Sequence, residues 1–308
     1  MAAGEDDSYG GGGLPMSIST VSFTTRLRTW LFVAGLTALL LTAGALAGGV
    51  FLYAFVGLAV LLNLGGYWFS DRIALAASRA RPLGGSEAPE LYAAVAELSL
   101  RAGIPPPRLY LVPSEQPNAF ATGRNPARAV VAVTQGLLEG MPPEQTRAVV
   151  AHELAHIRNR DVLVSSIAAA IAGAISAIAN VLQFSFLFGG QDEGDAGPLG
   201  WLGLLATLIL APIAAMLLQL AVSRQREYLA DATAARLLGS GRPLADALET
   251  LERGAQAAPM AVNPAFASLY IANPLPRSGP AALFMTHPPI PERVRRLRAY
   301  DEALALAA

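Results

Sequence analysis

His152-Glu153-Leu154-Ala155-His156 lies at the middle of this 308-residue chain and uses two of its three histidines. On a helix, positions i and i+4 share one face. Two imidazoles so placed can bind one zinc ion, and the glutamate between them can take a proton from an attacking water. The plainer reading is a pair of helix histidines packed by their neighbours, but the spacing and the acid at the second position favour the metal. The rest of the sequence must then supply a third ligand, an oxyanion partner and a substrate groove.

Composition narrows the setting. The chain is 53% apolar and 15% charged, with a mean hydropathy of +0.43. That balance suits a membrane protein with a water-facing part better than an ordinary soluble domain. A net charge of −1 leaves no basic field for nucleic acid. Cysteine is absent, which removes disulfides and thiolate metal sites. All 22 basic residues are arginine, read here as coding bias rather than chemistry.

Four apolar runs approach the roughly 20 residues a span requires: Trp30 to Gly48, Val50 to Phe69, Val162 to Phe188 and Trp201 to Val222. The first two are too long together for one crossing and predict a tight hairpin. Pro212 predicts a kink in the fourth. Ala45-Leu46-Ala47 resembles a signal-peptidase site after Arg26 and Arg28. The long apolar core and the second run directly after it favour a retained anchor. Arginines flank the spans on one side: Arg26 and Arg28, Arg72, Arg79 and Arg81, Arg158 and Arg160, Arg224 and Arg226. The positive-inside rule places both termini and both polar segments in the cytoplasm.

The expected fold is therefore a mainly α membrane protein: four transmembrane helices plus a cytoplasmic, zincin-like α+β domain with a small β-sheet. Its order is a flexible tail over 1–28, a transmembrane hairpin over 29–69, a first catalytic part over 70–161, a second hairpin over 162–222 (spans 162–188 and 201–222), and a second catalytic part over 223–308. Within the polar parts, Pro89–Ala102, Pro143–Arg160, Arg224–Leu238, Leu244–Gln256 and Glu292–Leu306 read as helices. Arg108–Val112 and Ala129–Thr134 read as strands. Ala257–Pro291, rich in proline, reads as an ordered loop. The acidic, Gly-rich start, with Gly10 to Gly13, has the composition of a disordered segment.

A tetrahedral zinc site for hydrolysis needs a third protein ligand and an open position. Ile157-Arg158-Asn159-Arg160-Asp161-Val162 lacks the glycine and third histidine of the metzincin pattern. A distant glutamate is the remaining common solution. Glu227-Tyr228-Leu229-Ala230-Asp231 places acids at i and i+4 of one helix. Glu227 would bind the metal, and Asp231 would accept the outer N–H of a zinc histidine, with His152 the favoured partner. Two predicted spans separate His156 from Glu227, returning the chain to the same side. Both residues then lie within roughly 10 Å of the membrane edge. The plainer alternatives are a Glu227–Arg224 pair on a solvated face and a surface role for Asp231. His287, in Thr286-His287-Pro288-Pro289, could donate to an oxyanion from a backbone stiffened by proline, or be a turn histidine.

The chain resembles the HtpX-type membrane-bound zinc metalloproteases, gluzincins related to the CAAX prenyl endopeptidases. The motifs are Pro117-Asn118-Ala119-Phe120-Ala121-Thr122-Gly123, HELAHIRNRD over His152–Asp161, REYLAD over Arg226–Asp231, LYIANPL over Leu269–Leu275 and THPP over Thr286–Pro289. The resemblance implies one zinc held by His152, His156 and Glu227, with Glu153 as general base. It implies that Asn118 and Ala119 edge the substrate groove, and that Asn118 and His287 contact the scissile peptide or its oxyanion. Pro117-Asn118 is also a good turn signal needing no substrate. The implied partners are polypeptides, among them misfolded and membrane proteins, and the lipid bilayer. The implied role is protein quality control under stress. A CAAX-type prenyl-protein protease is disfavoured because those enzymes have more spans than four. A non-catalytic metal-binding membrane scaffold is disfavoured because it would have no use for Glu153.

Overall fold

The computed structural model describes residues 50–173, 224–258, 262–275 and 287–307, with a few isolated positions besides. It opens with helix α1 (Val50–Ala77), followed by β1 (Arg81–Pro82), α2 (Pro89–Ala102), β2 (Arg108–Val112), β3 (Ala119–Thr122), β4 (Val130–Thr134), the short α3 (Gln135–Gly140) and the motif helix α4 (Pro143–Asn159). After a helical stretch over 162–173, the second polar part supplies α5 (Arg224–Leu238), α6 (Arg242–Ala257), the single turn α7 (Pro264–Ala267) and α8 (Ile290–Ala307).

Local chemistry explains the boundaries. Pro89 begins α2, where its missing N–H costs nothing. Gly103 ends it in the left-handed region at φ 68°, its N–H returning to the Leu100 and Ser99 carbonyls. Thr134 leaves β4 extended and accepts from the Leu137 N–H, capping α3. Arg160 closes α4 at φ 60°, a left-handed position that ordinary residues adopt reluctantly. Helix α6 begins at Arg242, slightly earlier than the sequence suggests, because Pro243 starts it well.

The sheet runs in the order β1-β2-β4-β3. Strands β2 and β4 are parallel, whereas β1 and β3 pair antiparallel with β2 and β4. All five residues of β4 are buried, as the Val-rich run Val130–Thr134 requires of a strand covered on both faces. Strand β3 was not legible as a strand. Ala119-Phe120-Ala121-Thr122 is short, and all four residues are buried, so alternation is absent.

Helix α4 is packed on several sides, against β3, α2, α5 and α6. Leu154 is fully buried and Ile157 nearly so, each contributing about 1.5–3 kcal/mol. Alanines at 148, 151 and 155 on α4, and at 230, 234 and 235 on α5, are fully buried and keep the layers close.

Of the four expected spans, Trp30–Gly48 and Trp201–Val222 lie outside the continuously described residues, as does the flexible tail over 1–28. The run Val50–Phe69 falls within α1, which continues without a break to Ala77. The run Val162–Phe188 is helical over 162–173. Among the described residues no helix is long and apolar enough to cross a membrane. Helix α1 nonetheless exposes Tyr53, Val60, Leu61, Leu64 and Trp68.

The close approach at Gly136 gives a stability prediction. A Cβ there would run into the Glu115 carbonyl oxygen, whereas one at Gly140, on the same helix, would meet nothing within 4 Å. Gly136→Ala should cost more than about 2 kcal/mol and lower the thermal midpoint by several degrees. Gly140→Ala should leave it unchanged or slightly raised. Equal midpoints for the two variants would contradict the packing described.

Candidate metal centre

Helix α4 carries His152, Glu153 and His156; His152 is fully buried, Glu153 is 2% exposed and His156 is half-buried. Helix α5 presents Glu227 from its first turn and Asp231 one turn later. The two imidazoles meet edge to face, and their Nε2 atoms are 3.0 Å apart. Glu227 Oε1 lies 3.6 Å from His156 Nε2, and Oε2 lies 3.8 Å from His152 Nε2. Among the described residues, His152, His156 and Glu227 form the group whose donor atoms all lie within 4.8 Å of one another. Ligands about 2.1 Å from a tetrahedral ion are about 3.4 Å apart. The observed separations bracket that value, and two imidazoles with one carboxylate are a donor set that zinc accepts. The residues therefore fit a bound divalent ion.

Each histidine has a carboxylate on its far side. Asp231 Oδ1 lies 3.0 Å from His152 Nδ1, and Asp161 Oδ2 lies 3.1 Å from His156 Nδ1. These contacts leave both Nε2 atoms facing Glu227, the orientation that a shared metal needs. Asp231 is itself gripped by Arg293 from α8. The Arg293 Nε and Nη2 donate to Asp231 Oδ2 and Oδ1 at 2.9 and 2.7 Å, and Nη1 donates to the Ile271 carbonyl at 3.1 Å. Arg293 is fully buried, so this two-pronged pairing offsets the desolvation of both charges.

His287 enters the same cavity. Its Nε2 donates to the Ser268 carbonyl at 3.1 Å, and its Nδ1 lies 3.1 Å from Glu227 Oε2. The latter contact lacks hydrogen-bond geometry, which leaves Glu227 Oε2 a buried oxygen without a hydrogen bond. Such an oxygen is costly unless something else satisfies it, and a cation would.

The charges perturb one another strongly. Burial pushes Glu153 up to about 7, with Glu227 adding to the rise and His156 and Arg293 opposing it. Burial also lowers His152 to about 4, against the pull of Asp231. For His156 burial disfavours the charged form, yet Asp161 and Glu227 outweigh it and raise the imidazole to about 10. Burial would raise both remaining acids, but Glu227 is held well below the usual range by His287 and His156, and Asp231 is held at about 2 by Arg293.

Sequence-predicted site residues therefore divide into two groups. His152, Glu153, His156, Glu227, Asp231 and His287 converge. Asn118 and Ala119 do not border an open groove. Both are fully buried, and the Asn118 amide is consumed internally: Nδ2 donates to the Ala272 carbonyl at 2.8 Å, and Oδ1 accepts from the Ala119 and Ala272 N–H groups at 3.0 and 3.4 Å. Asp161 and Arg293 are functional neighbours that sequence reasoning missed. Asp161 closes the HELAHIRNRD stretch and had a local signal. Arg293 had none, because its partner lies on another helix.

A cavity of about 30 Å³ is lined by Ala121, His152, Glu153, His156, Glu227 and His287, among others. Its interior has room for an ion or about one water.

The family model for "Peptidase family M48" matches residues 86–301. A "Protease HtpX homolog" of Syntrophobacter fumaroxidans is 52% identical over 281 residues, covering 89% of this chain and 99% of the relative. One from Pelotomaculum thermopropionicum is 51% identical over 278 residues, with 89% and 98% covered. One from Thermococcus sibiricus is 47% identical over 287 residues, with 91% and 98% covered. The crystal structure of S. mikatae Ste24p is 20% identical, with a TM-score of 0.47, covering 91% of this chain and 67% of that one. That structural likeness is too slight to carry an argument, but the sequence matches are not: this chain belongs to peptidase family M48 and is a metalloprotease.

Proposed function

We propose that the chain is a zinc-dependent endopeptidase anchored in the membrane by four spans, with its active site on the cytoplasmic side, where it cleaves misfolded or membrane polypeptides. The observation that carries the reading is the meeting of His152, His156 and Glu227 beside the buried Glu153. When bound, zinc supplies Lewis acidity, lowering the pKa of water towards about 7 and polarising the scissile carbonyl.

His152, His156 and Glu227 would hold the ion. Asp231 and Asp161 keep the protons of the two imidazoles on Nδ1, so that both Nε2 lone pairs face the ion. Arg293 supports Asp231 and offsets the negative charge beneath the site. Glu153 accepts the proton of the attacking water and passes it to the leaving amine. Its elevation to about 7 suits a group that must both take and return a proton near neutrality. His287 lines the same cavity and donates to the carbonyl oxygen as charge develops there. The exposed aromatic and aliphatic residues of α1, and the apolar runs of the sequence, support the membrane anchor.

Detergent-purified chain with zinc should digest an unfolded protein such as casein. Glu153→Gln should lower that rate by about 10²–10⁴ while zinc content stays the same. Undiminished cleavage by the variant would remove Glu153 from its role as base.

Asp161→Asn removes the carboxylate that accepts from His156 Nδ1. It should weaken zinc binding about 10–100-fold, measured by competition with a chelator, with the thermal midpoint little changed. Unaltered affinity would show that Asp161 does not orient the ligand.

His156 is raised to about 10 and carries a proton at neutral pH that zinc must displace. Zinc affinity should therefore rise with pH through neutrality, and uptake at pH 7 should release protons to the buffer. Calorimetry in buffers of differing ionisation enthalpy measures this; uptake with no proton release would contradict it.

A further inference from the structure

Strand β3 is the last in the sheet, bonded on one edge to β4. Its other edge is where an extended peptide could add main-chain bonds beside the catalytic helix. That edge is occupied by this chain's own residues. Tyr270 forms an antiparallel bridge with Phe120, and Ile271 N–H donates to the Ala119 carbonyl at 3.0 Å. Ala272 uses both its N–H and its carbonyl on the Asn118 amide. The segment is clamped by side chains as well: the Tyr270 ring packs edge-on against Phe120 at 4.9 Å, and its hydroxyl donates to Ser78 Oγ at 3.1 Å.

The same segment forms a wall of the metal cavity. Ser268, Leu269 and Ile271 line it together with Ala121, and the Ser268 carbonyl holds His287 Nε2. With this wall in place the cavity is only about 30 Å³. The substrate's backbone needs the edge that residues 269–272 already use.

We infer that residues 269–272 are an internal strap lying in the position of substrate, and that they must leave the β3 edge before a polypeptide can be cleaved. The inference rests on the peptidase reading and adds a latent state to it. Departure of the strap does three things together. It frees the Ala119 carbonyl and the Asn118 amide for the incoming backbone, opens the cavity, and releases His287 Nε2–H from Ser268. The substrate remakes the main-chain bonds that the strap gives up on β3, while burial of Tyr270 and Ile271 and the Arg293 Nη1 bond to the Ile271 carbonyl hold the strap closed. The packing of Tyr270 then sets the closed population, and apparent affinity for substrate falls in proportion to the open fraction.

The chain contains no cysteine, so an introduced pair can have only one disulfide. Phe120 and Tyr270 face each other across the strands, where Cβ atoms are about 4.5–5.5 Å apart, close to disulfide reach. Neither lines the metal cavity. Full-length Phe120→Cys/Tyr270→Cys protein, zinc-loaded in detergent, should cleave casein at least tenfold more slowly when oxidised than after a phosphine reductant. Equal rates, with the bond verified by mass spectrometry, would overturn the strap. Hydrogen exchange on the parent chain is a reading that needs neither the variant nor activity. The Ile271 amide should exchange at least 100-fold faster than those of Val131 and Val133 in β4, because the strap opens without the sheet. Equal protection would overturn the inference. Loss of casein cleavage in parent chain and reduced variant alike, with the exchange difference present, would instead count against the peptidase reading.

Discussion

The structure depends on the approach of two helices, α4 and α5, from segments that the apolar runs divide. Two imidazoles on one face of α4 come within 3.8 Å of a carboxylate on the first turn of α5. Alanines along both helices permit that distance. Larger side chains at these positions would force the helices apart and separate the donors, since packed interiors absorb extra volume poorly. The sheet, α2 and α6 brace α4 on its other sides, so the donors are fixed by the core rather than by a loop.

Such a site is expensive to bury. Glu153, Asp161, Glu227 and Asp231 are all at most 4% exposed and lie close together. Uncompensated, they would repel one another and lose hydration. Arg293 answers part of this by its bidentate hold on Asp231. Asp161 and Asp231 share their charge with the histidines. The residual strain appears in Glu153, held up at about 7, and in the unbonded oxygen of Glu227. A divalent cation would relieve the carboxylate repulsion.

What the sequence made legible was whatever a local pattern encodes. The i, i+4 histidines, the matching acids at 227 and 231, the proline-started and glycine-stopped α2, and the Val-rich β4 each carry their own signature. Strand β3 did not, because four consecutive buried residues look neither alternating nor helical. Nor did Arg293, whose partner Asp231 is 62 residues away in the chain. Asn118 has a partner that its motif does not reveal. Its place at a groove edge followed from resemblance alone. In the structure its amide is tied to Ala272, 154 residues away, which no local reading could foresee.

The central claim is that helices α4 and α5 jointly hold one metal ion. Its most direct test is the zinc content, by elemental mass spectrometry, of the full chain beside Glu227→Gln, each purified under zinc-replete conditions and checked for folding. The account predicts about one zinc per parent chain and a large loss in the variant. Zinc retained equally in both, or absent from a folded parent, would contradict it.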